Sequence, residues 1–89
     1  MIDSINSYLK YLDKILINIP KFEKTLLKEL VEVSYGLINS KNILVDIQYI
    51  DYLICYMFDK RYINYEVFLH LGNSLENIIN DLKAYTNSF

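Results

Sequence analysis

Apolar residues recur at helical spacing, mostly in steps of three and four, along four segments of the chain, and this spacing constrains the fold more than any other feature. At 100° per residue, such steps keep the apolar side chains on one side of an α-helix. The row in the first segment is Ile5, Leu9, Leu12, Leu16 and Ile19. The pattern predicts amphipathic helices, the first of them capped by Asp3 or Ser4.

Residues that disfavour helix continuation separate the segments. Pro20 has no N–H to donate but suits the first position of a helix, so we predict that the second helix begins there. The sequence NSKN at 39–42 favours a turn, and Asn64 is a good N-cap preceded by Ile63, as in a hydrophobic staple. We predict helices at about 3–18, 20–39, 43–60 and 64–83.

The third segment, ILVDIQYIDYLICYMF at 43–58, also permits a strand, because isoleucine and valine favour sheets. Its length and the absence of strict alternation favour a helix instead. The predicted inward rows of the last three helices are Phe22, Leu26, Leu30, Val33 and Leu37; Ile43, Ile47, Ile50, Ile54, Met57 and Phe58; and Phe68, Leu71, Leu75, Ile78, Ile79 and Leu82.

The chain has 89 residues, of which 53% are hydrophobic and 22% charged, values that are typical of one folded globular domain. Four amphipathic helices with short connections favour antiparallel neighbours. We therefore predict an all-α fold, an antiparallel up-down four-helix bundle that spans residues 1–89 as a single domain.

Composition disfavours several kinds of partner and cofactor. The net charge is −2 with scattered lysines, which argues against nucleic acid. The amino terminus has no secretory pattern, and carboxylates interrupt segment 43–58, which falls short of about 20 apolar residues, so we expect no membrane span. One cysteine and one histidine cannot build a zinc site of Cys and His ligands. We expect a cytoplasmic protein without metal or cofactor.

The stretch DKRYINYEVFLH at 59–70 raises the question of an active site. Arg61 and His70 would suit a helical ribonuclease, but eight residues and a helix start separate them. His70 is predicted to face solvent. Asp46, Asp51 and Asp59 are predicted to lie on a solvated side, and Cys55 to be a buried, inert thiol. We expect no catalytic residues and no enzymatic activity.

Tyr49, Tyr52 and Tyr56 form a second row on the third helix, roughly opposite its isoleucine row. One interpretation is that another helix of the bundle covers them. The other is a docking face, since tyrosine is enriched at protein interfaces. Arg61 and Tyr62 at the following corner would extend that face, which could also pair two copies of the chain, so both a monomer and a homodimer stay open.

The stretch YMFDKRYINYEVFLHLGNSLENI resembles the immunity proteins that protect Gram-positive bacteria from their own pediocin-like (class IIa) bacteriocins. The resemblance implies a non-enzymatic antiparallel four-helix bundle. It also implies binding, from the cytoplasm or the inner face of the membrane, to the mannose phosphotransferase permease that the bacteriocin has engaged. The matching positions are the corner from Arg61 to Asn64 and the start of helix four. The tail is shorter than in that family, which leaves Tyr85 and Phe89 as its specificity candidates.

Two functions follow as expectations. The first is bacteriocin immunity by binding, with Tyr49, Tyr52, Tyr56, Arg61, Tyr62 and Asn64 as the protein-binding residues. The alternative is a small phage- or host-encoded helical protein that inhibits or adapts a soluble partner through the same tyrosine-rich face. Both functions need a protein partner, and neither needs a cofactor.

Overall fold

The apolar rows form four helices that pack side by side, as the computed structural model shows for residues 1–19 and 23–87. The helices are α1 (Ile2–Leu16), α2 (Lys24–Tyr35), α3 (Ile43–Asp59) and α4 (Tyr65–Asn87), and a 3-10 turn (Gly36–Asn39) extends α2. Each helix packs against the next, and α4 returns to pack against α1. The predicted all-α four-helix bundle is confirmed.

Pairs of side chains show that α1 and α4 run in opposite directions. The hydroxyl of Ser4 donates to the carboxylate of Asp81, and further along α1 the Tyr11 ring stacks on His70 with 3.7 Å between ring centroids. Residue numbers therefore rise along α1 while they fall along α4. Since the connection between α3 and α4 is short, α3 lies antiparallel to α4 as well.

The predicted apolar rows of α1, α3 and α4 supply most of the core, but α1 buries a wider side than its row. Ile5, Leu9 and Leu12 of the α1 row are buried, and so are Tyr8 and Ile15, which lie beside that row. The reason is that α1 packs against both α2 and α4, so one row cannot cover both contacts.

The predicted start of α2 differs from the observed one. The helix begins at Lys24 with Glu23 as its N-cap, so residue 23 of the predicted 20–39 helix precedes the helix. Pro20 and Phe22, which carried the prediction of the helix start and of the first core position, lie outside the described residues. At the other end the final turn tightens to a 3-10 turn over Gly36–Asn39, where the prediction had one continuous helix.

The caps of α1 and the end of α4 also depart from the prediction. Met1 occupies the N-cap position of α1, and its side chain has no oxygen that could accept from a backbone N–H. The predicted caps Asp3 and Ser4 lie inside the helix, where the hydroxyl of Ser4 donates to Asp81. The last helix continues to Asn87, four residues beyond the predicted end. No glycine or proline lies in 83–87 to stop it.

Asparagine side chains begin the last two helices. The Oδ1 atom of Asn42 accepts from the Val45 N–H at 3.3 Å, and the Oδ1 atom of Asn64 accepts from the Val67 N–H at 2.8 Å. Each bond satisfies an amide that has no partner within its own helix. Asn64 therefore caps α4, and the buried Ile63 before it fixes the direction in which the chain enters the helix.

Gly72 weakens α4 without a steric reason to be glycine. A Cβ atom added there would meet no atom within 4 Å, and its φ angle is not in the left-handed region. Because alanine loses less backbone entropy in a helix, Gly72→Ala is expected to raise the free energy of unfolding by about 0.8–1.0 kcal/mol. Urea denaturation followed by circular dichroism measures the change. An unchanged or lower stability would show that this part of α4 is more crowded than described.

Candidate protein-binding surface

One side of α3 is buried in the bundle and the other carries the tyrosines. Ile47, Ile50, Leu53, Ile54 and Met57 are buried. Tyr49, Tyr52 and Tyr56, which we call the tyrosine stripe, are 40%, 64% and 36% exposed. No described helix buries the stripe as part of the core, although α2 lies beside it, since the Tyr49 hydroxyl donates to Glu29.

Neighbouring side chains hold the tyrosine stripe in place. The rings of Tyr49 and Tyr52 lie nearly parallel, with 6.4 Å between their centroids. The ammonium group of Lys60 lies 5.7 Å from the centre of the Tyr56 ring, within the range of a cation–π contact. Val45, one turn earlier, is also exposed and continues the row. The stripe is an ordered aromatic surface with one end near the α3–α4 corner.

Three tyrosine hydroxyls outside the core connect α2 and its N-cap residue to α1, to α3 and to the α3–α4 corner. Each donates to a carboxylate, and the pairs are Tyr35 with Asp13, Tyr49 with Glu29, and Tyr62 with Glu23. Each bond raises the pKa of its tyrosine, because deprotonation would place a phenolate beside a carboxylate and remove the donor. These bonds fix α2 beside the stripe and the corner.

The corner between α3 and α4 is a Schellman turn that has arginine in the position usually taken by glycine. Arg61 has a φ angle of 63°. Its N–H donates to the Phe58 carbonyl at 3.0 Å, and the Tyr62 N–H donates to the Met57 carbonyl at 2.9 Å. This pair of bonds satisfies the last carbonyls of α3 and defines the turn. Left-handed φ angles are costly for residues with a Cβ atom, so the side chain at 61 is held in a strained backbone.

The predicted corner residues divide into two roles. Arg61 is exposed, and its side chain makes no ion pair with any carboxylate among residues 1–19 and 23–87. Tyr62 is half-buried and its hydroxyl donates to Glu23 at 2.7 Å, while Asn64 caps α4. Of the three, only Arg61 offers a charged side chain that these contacts leave available to a partner.

A groove of about 660 Å³ opens beside Arg61, and the sequence analysis did not predict it. We call it the corner groove; its apolar and aromatic lining includes Cys55, Phe58, Tyr62, Ile63 and Phe68. The rings of Phe58 and Phe68 stack across the turn with 4.5 Å between centroids. A sequence signal existed, since these phenylalanines flank the corner on either side, but both were assigned to the core.

Cys55 was predicted to be a buried thiol, and this prediction is wrong. The side chain is exposed and contributes to the corner groove. Its position three residues after Tyr52 places it on the outer side of α3, whereas the apolar neighbours Ile54 and Met57 suggested burial. Partial desolvation, with the nearby Asp51 carboxylate, raises the pKa of the thiol, which favours the neutral and less nucleophilic form.

Two of the side chains that suggested acid–base chemistry have structural contacts. His70 is exposed, as predicted, but its ring stacks on Tyr11 of α1. Asp46 is half-buried, not solvated, and accepts a hydrogen bond from the Ser40 hydroxyl at 2.5 Å beside the start of α3. Asp51 and Asp59 are exposed. Among the described residues, no three or more His, Cys, Asp or Glu side chains are grouped so that they could hold a metal ion.

Comparison with known proteins adds no relative. No protein-family model, curated protein or solved structure matches this chain. The resemblance to class IIa immunity proteins therefore stays a prediction from the sequence. In the part of the chain that the structure describes, no helix has both the length and the hydrophobicity needed to cross a membrane.

Tyrosine ionisation should reduce stability at high pH. Burial raises the pKa of Tyr8 to about 12, and the bond to Glu23 raises that of Tyr62 to about 12, from the ordinary 10.0. A folded pKa above the unfolded value contributes stability that is present below pH 10 and is lost as the pH rises through the folded pKa. We expect the free energy of unfolding, measured in urea, to fall between about pH 10 and 12.

Spectrophotometric titration of the nine tyrosines separates this effect from lysine titration. In the folded chain part of the tyrosinate absorbance should appear only toward pH 12, whereas in concentrated urea all of it should appear near the ordinary pKa of about 10. Tyr62→Phe should remove one late-titrating group. Superimposable titration curves for the folded and unfolded chains would contradict the prediction.

Proposed function

We propose that this chain is a non-catalytic binding protein whose partner docks on the tyrosine stripe and the adjoining corner. The observation that carries the proposal is the stripe itself, three exposed tyrosines in one row on a helix whose opposite side is buried. Tyrosine supplies a large contact area with few rotatable bonds and a polar tip, and it is enriched among interface hot spots.

The order of the surface supports binding. Because Tyr49 is hydrogen-bonded to Glu29 and stacked on Tyr52, ordering these rings on association costs little further entropy. Two of the groups that the sequence offered for acid–base chemistry have structural partners, His70 stacked on Tyr11 and Asp46 bonded to Ser40, while Asp51 and Asp59 are exposed. Both observations favour recognition over catalysis.

Bacteriocin immunity is the biological form that we propose first. The supporting arguments are the sequence resemblance around the corner and the four-helix fold that this resemblance implies. In this form the chain acts in the cytoplasm or at the inner membrane face, on the mannose phosphotransferase permease engaged by a pediocin-like peptide. The second form is inhibition or adaptation of a soluble partner through the same stripe, since an aromatic surface can bind a soluble protein as well as a membrane protein.

Survival of a bacteriocin-sensitive Gram-positive strain tests the first form. The strain expresses this chain and is challenged with a panel of pediocin-like peptides. We expect protection against at least one peptide, and its loss in a Tyr52→Ser/Tyr56→Ser variant that is equally abundant. Absence of protection by a folded, abundant chain would overturn the immunity form. Affinity capture, with the same two chains as baits, would then test for a soluble partner that only the wild type retains.

A further inference from the structure

The corner groove, of about 660 Å³, has an apolar and aromatic lining with room for a large side chain of a partner and the residues beside it. Phe58 and Phe68 stack at its base and are each only partly buried, and Ile63 beside them belongs to the core. Tyr65, 61% exposed, extends the aromatic cluster, with its ring centroid 6.1 Å from that of Phe58. Desolvating such a partly exposed aromatic surface favours an apolar side chain as occupant.

Arg61 places a positive charge on this apolar groove. Its guanidinium has no carboxylate partner among the described residues, and the left-handed backbone at this position would be easier for glycine. Arginine presents a planar fork of donors that matches a carboxylate in a bidentate geometry. The groove therefore combines an aromatic floor with an unpaired anion-binding group.

Asp59 also lines the groove, which therefore carries one charge of each sign. No ion pair joins Asp59 to Arg61. Water can hydrate either charge, but only Arg61 has a left-handed backbone that glycine would adopt at less cost, so the side chain at 61 is the one kept in spite of strain. Its planar fork binds a carboxylate through two charge-assisted hydrogen bonds. An acidic ligand therefore suits the groove better than a basic one, and removal of the Asp59 charge should change its affinity measurably.

We propose that the corner groove binds a segment of a partner protein in which a large apolar side chain stands next to an aspartate or glutamate. The apolar side chain rests on Phe58 and Phe68, and the neighbouring carboxylate pairs with Arg61. This inference rests on the proposed binding function and specifies the chemistry of the partner at one end of the tyrosine stripe.

Selection of a phage-displayed library of random peptides on the folded wild-type chain tests the proposal. We expect enrichment of peptides that carry Leu, Ile, Met or Phe beside Asp or Glu. The affinity of a synthetic copy of the most enriched peptide is then measured by fluorescence polarisation. Arg61→Gly should weaken binding about tenfold or more, as expected for the loss of a charged hydrogen-bonding partner. Asp59→Asn should tighten binding, because a charge of the same sign as the ligand carboxylate is removed.

The stability of Arg61→Gly controls for folding, and two further variants, Cys55→Phe and Arg61→Lys, test the groove and the arginine fork. Arg61→Gly should raise the melting temperature by about 4–8 °C, since glycine relieves the left-handed strain, so weaker binding cannot be attributed to unfolding. Cys55→Phe, on an exposed position of the groove wall, should block binding while the circular dichroism spectrum stays unchanged. Arg61→Lys keeps the charge without the planar fork, and it should retain part of the affinity.

The outcomes separate this inference from the proposed function. Enrichment of basic peptides, or binding that Asp59→Asn weakens or leaves unchanged, overturns the acidic ligand. Peptides whose binding is lost in the Tyr52→Ser/Tyr56→Ser variant but kept in Arg61→Gly overturn the groove and leave the stripe as the binding surface. If the wild-type chain enriches no peptides beyond those that the Cys55→Phe chain enriches, the groove is also overturned as a binding site. The survival and capture experiments test the proposed function independently of this result.

Discussion

Replacing Tyr8 with alanine is expected to lower the free energy of unfolding by about 3–5 kcal/mol, the range for removing a buried aromatic side chain. Tyr8 is fully buried where α1 meets α2, and no residue can move into the space of its ring without disturbing the core. A domain of this size has only about 4–13 kcal/mol of stability in total. The melting temperature should fall by about 12 °C or more.

The hydroxyl of Tyr8 adds a separate effect that a double-mutant cycle can isolate. It lies 2.8 Å from the hydroxyl of Ser34, the one buried polar residue that α2 contributes, and each hydroxyl satisfies the other. Tyr8→Phe or Ser34→Ala alone should each cost about 1–3 kcal/mol, since one buried hydroxyl loses its partner.

The double variant Tyr8→Phe/Ser34→Ala should cost less than the sum of the two single changes. Chemical denaturation of the four chains gives the coupling energy. Additive costs would contradict the pairing, and a Tyr8→Ala variant as stable as the wild type would contradict the burial of the ring.

Replacing Tyr52 and Tyr56 with serine is expected to abolish partner binding while the bundle stays folded. Central interface tyrosines contribute about 2 kcal/mol or more each, so one loss should weaken binding about thirtyfold and the joint loss by about several hundredfold. Tyr52 is 64% exposed and Tyr56 is 36% exposed, so the two changes together should lower the free energy of unfolding by no more than about 1 kcal/mol. Survival under bacteriocin challenge or retention of a captured partner reports binding, and thermal unfolding reports stability.

Tyr85→Ser supplies a matched control, since Tyr85 is 61% exposed, close to the 64% of Tyr52, but lies on α4 near the chain end. Binding should survive this change. If Tyr85→Ser removes binding and the α3 variant does not, recognition lies in the tail and the stripe is not the binding surface. A large loss of stability in the α3 variant would instead show that the stripe supports the fold. Phe89, the other tail candidate, lies outside the described residues.

The corner shows how local and tertiary information combine. Asn64 was recognisable as a cap because its side chain bonds an amide only three residues away, within one turn of helix. The left-handed conformation of Arg61 was not, since the sequence has no glycine there to mark it. The corner groove depends on both halves of the turn, because Phe58 and Phe68 meet only when α3 and α4 pack side by side.

Sequence alone determined the four helices and their inward rows, because the helical period is a local property and each apolar row must find a partner. It could not decide whether another helix of the bundle covers the tyrosines of α3 or whether they form a docking face. It also could not show that Tyr8 is buried against Ser34, 26 residues away. It also misplaced Cys55, although the angle around α3 placed it with Tyr52. Those outcomes depend on which sides of the helices the bundle leaves uncovered, and that is set by packing between segments distant in the chain.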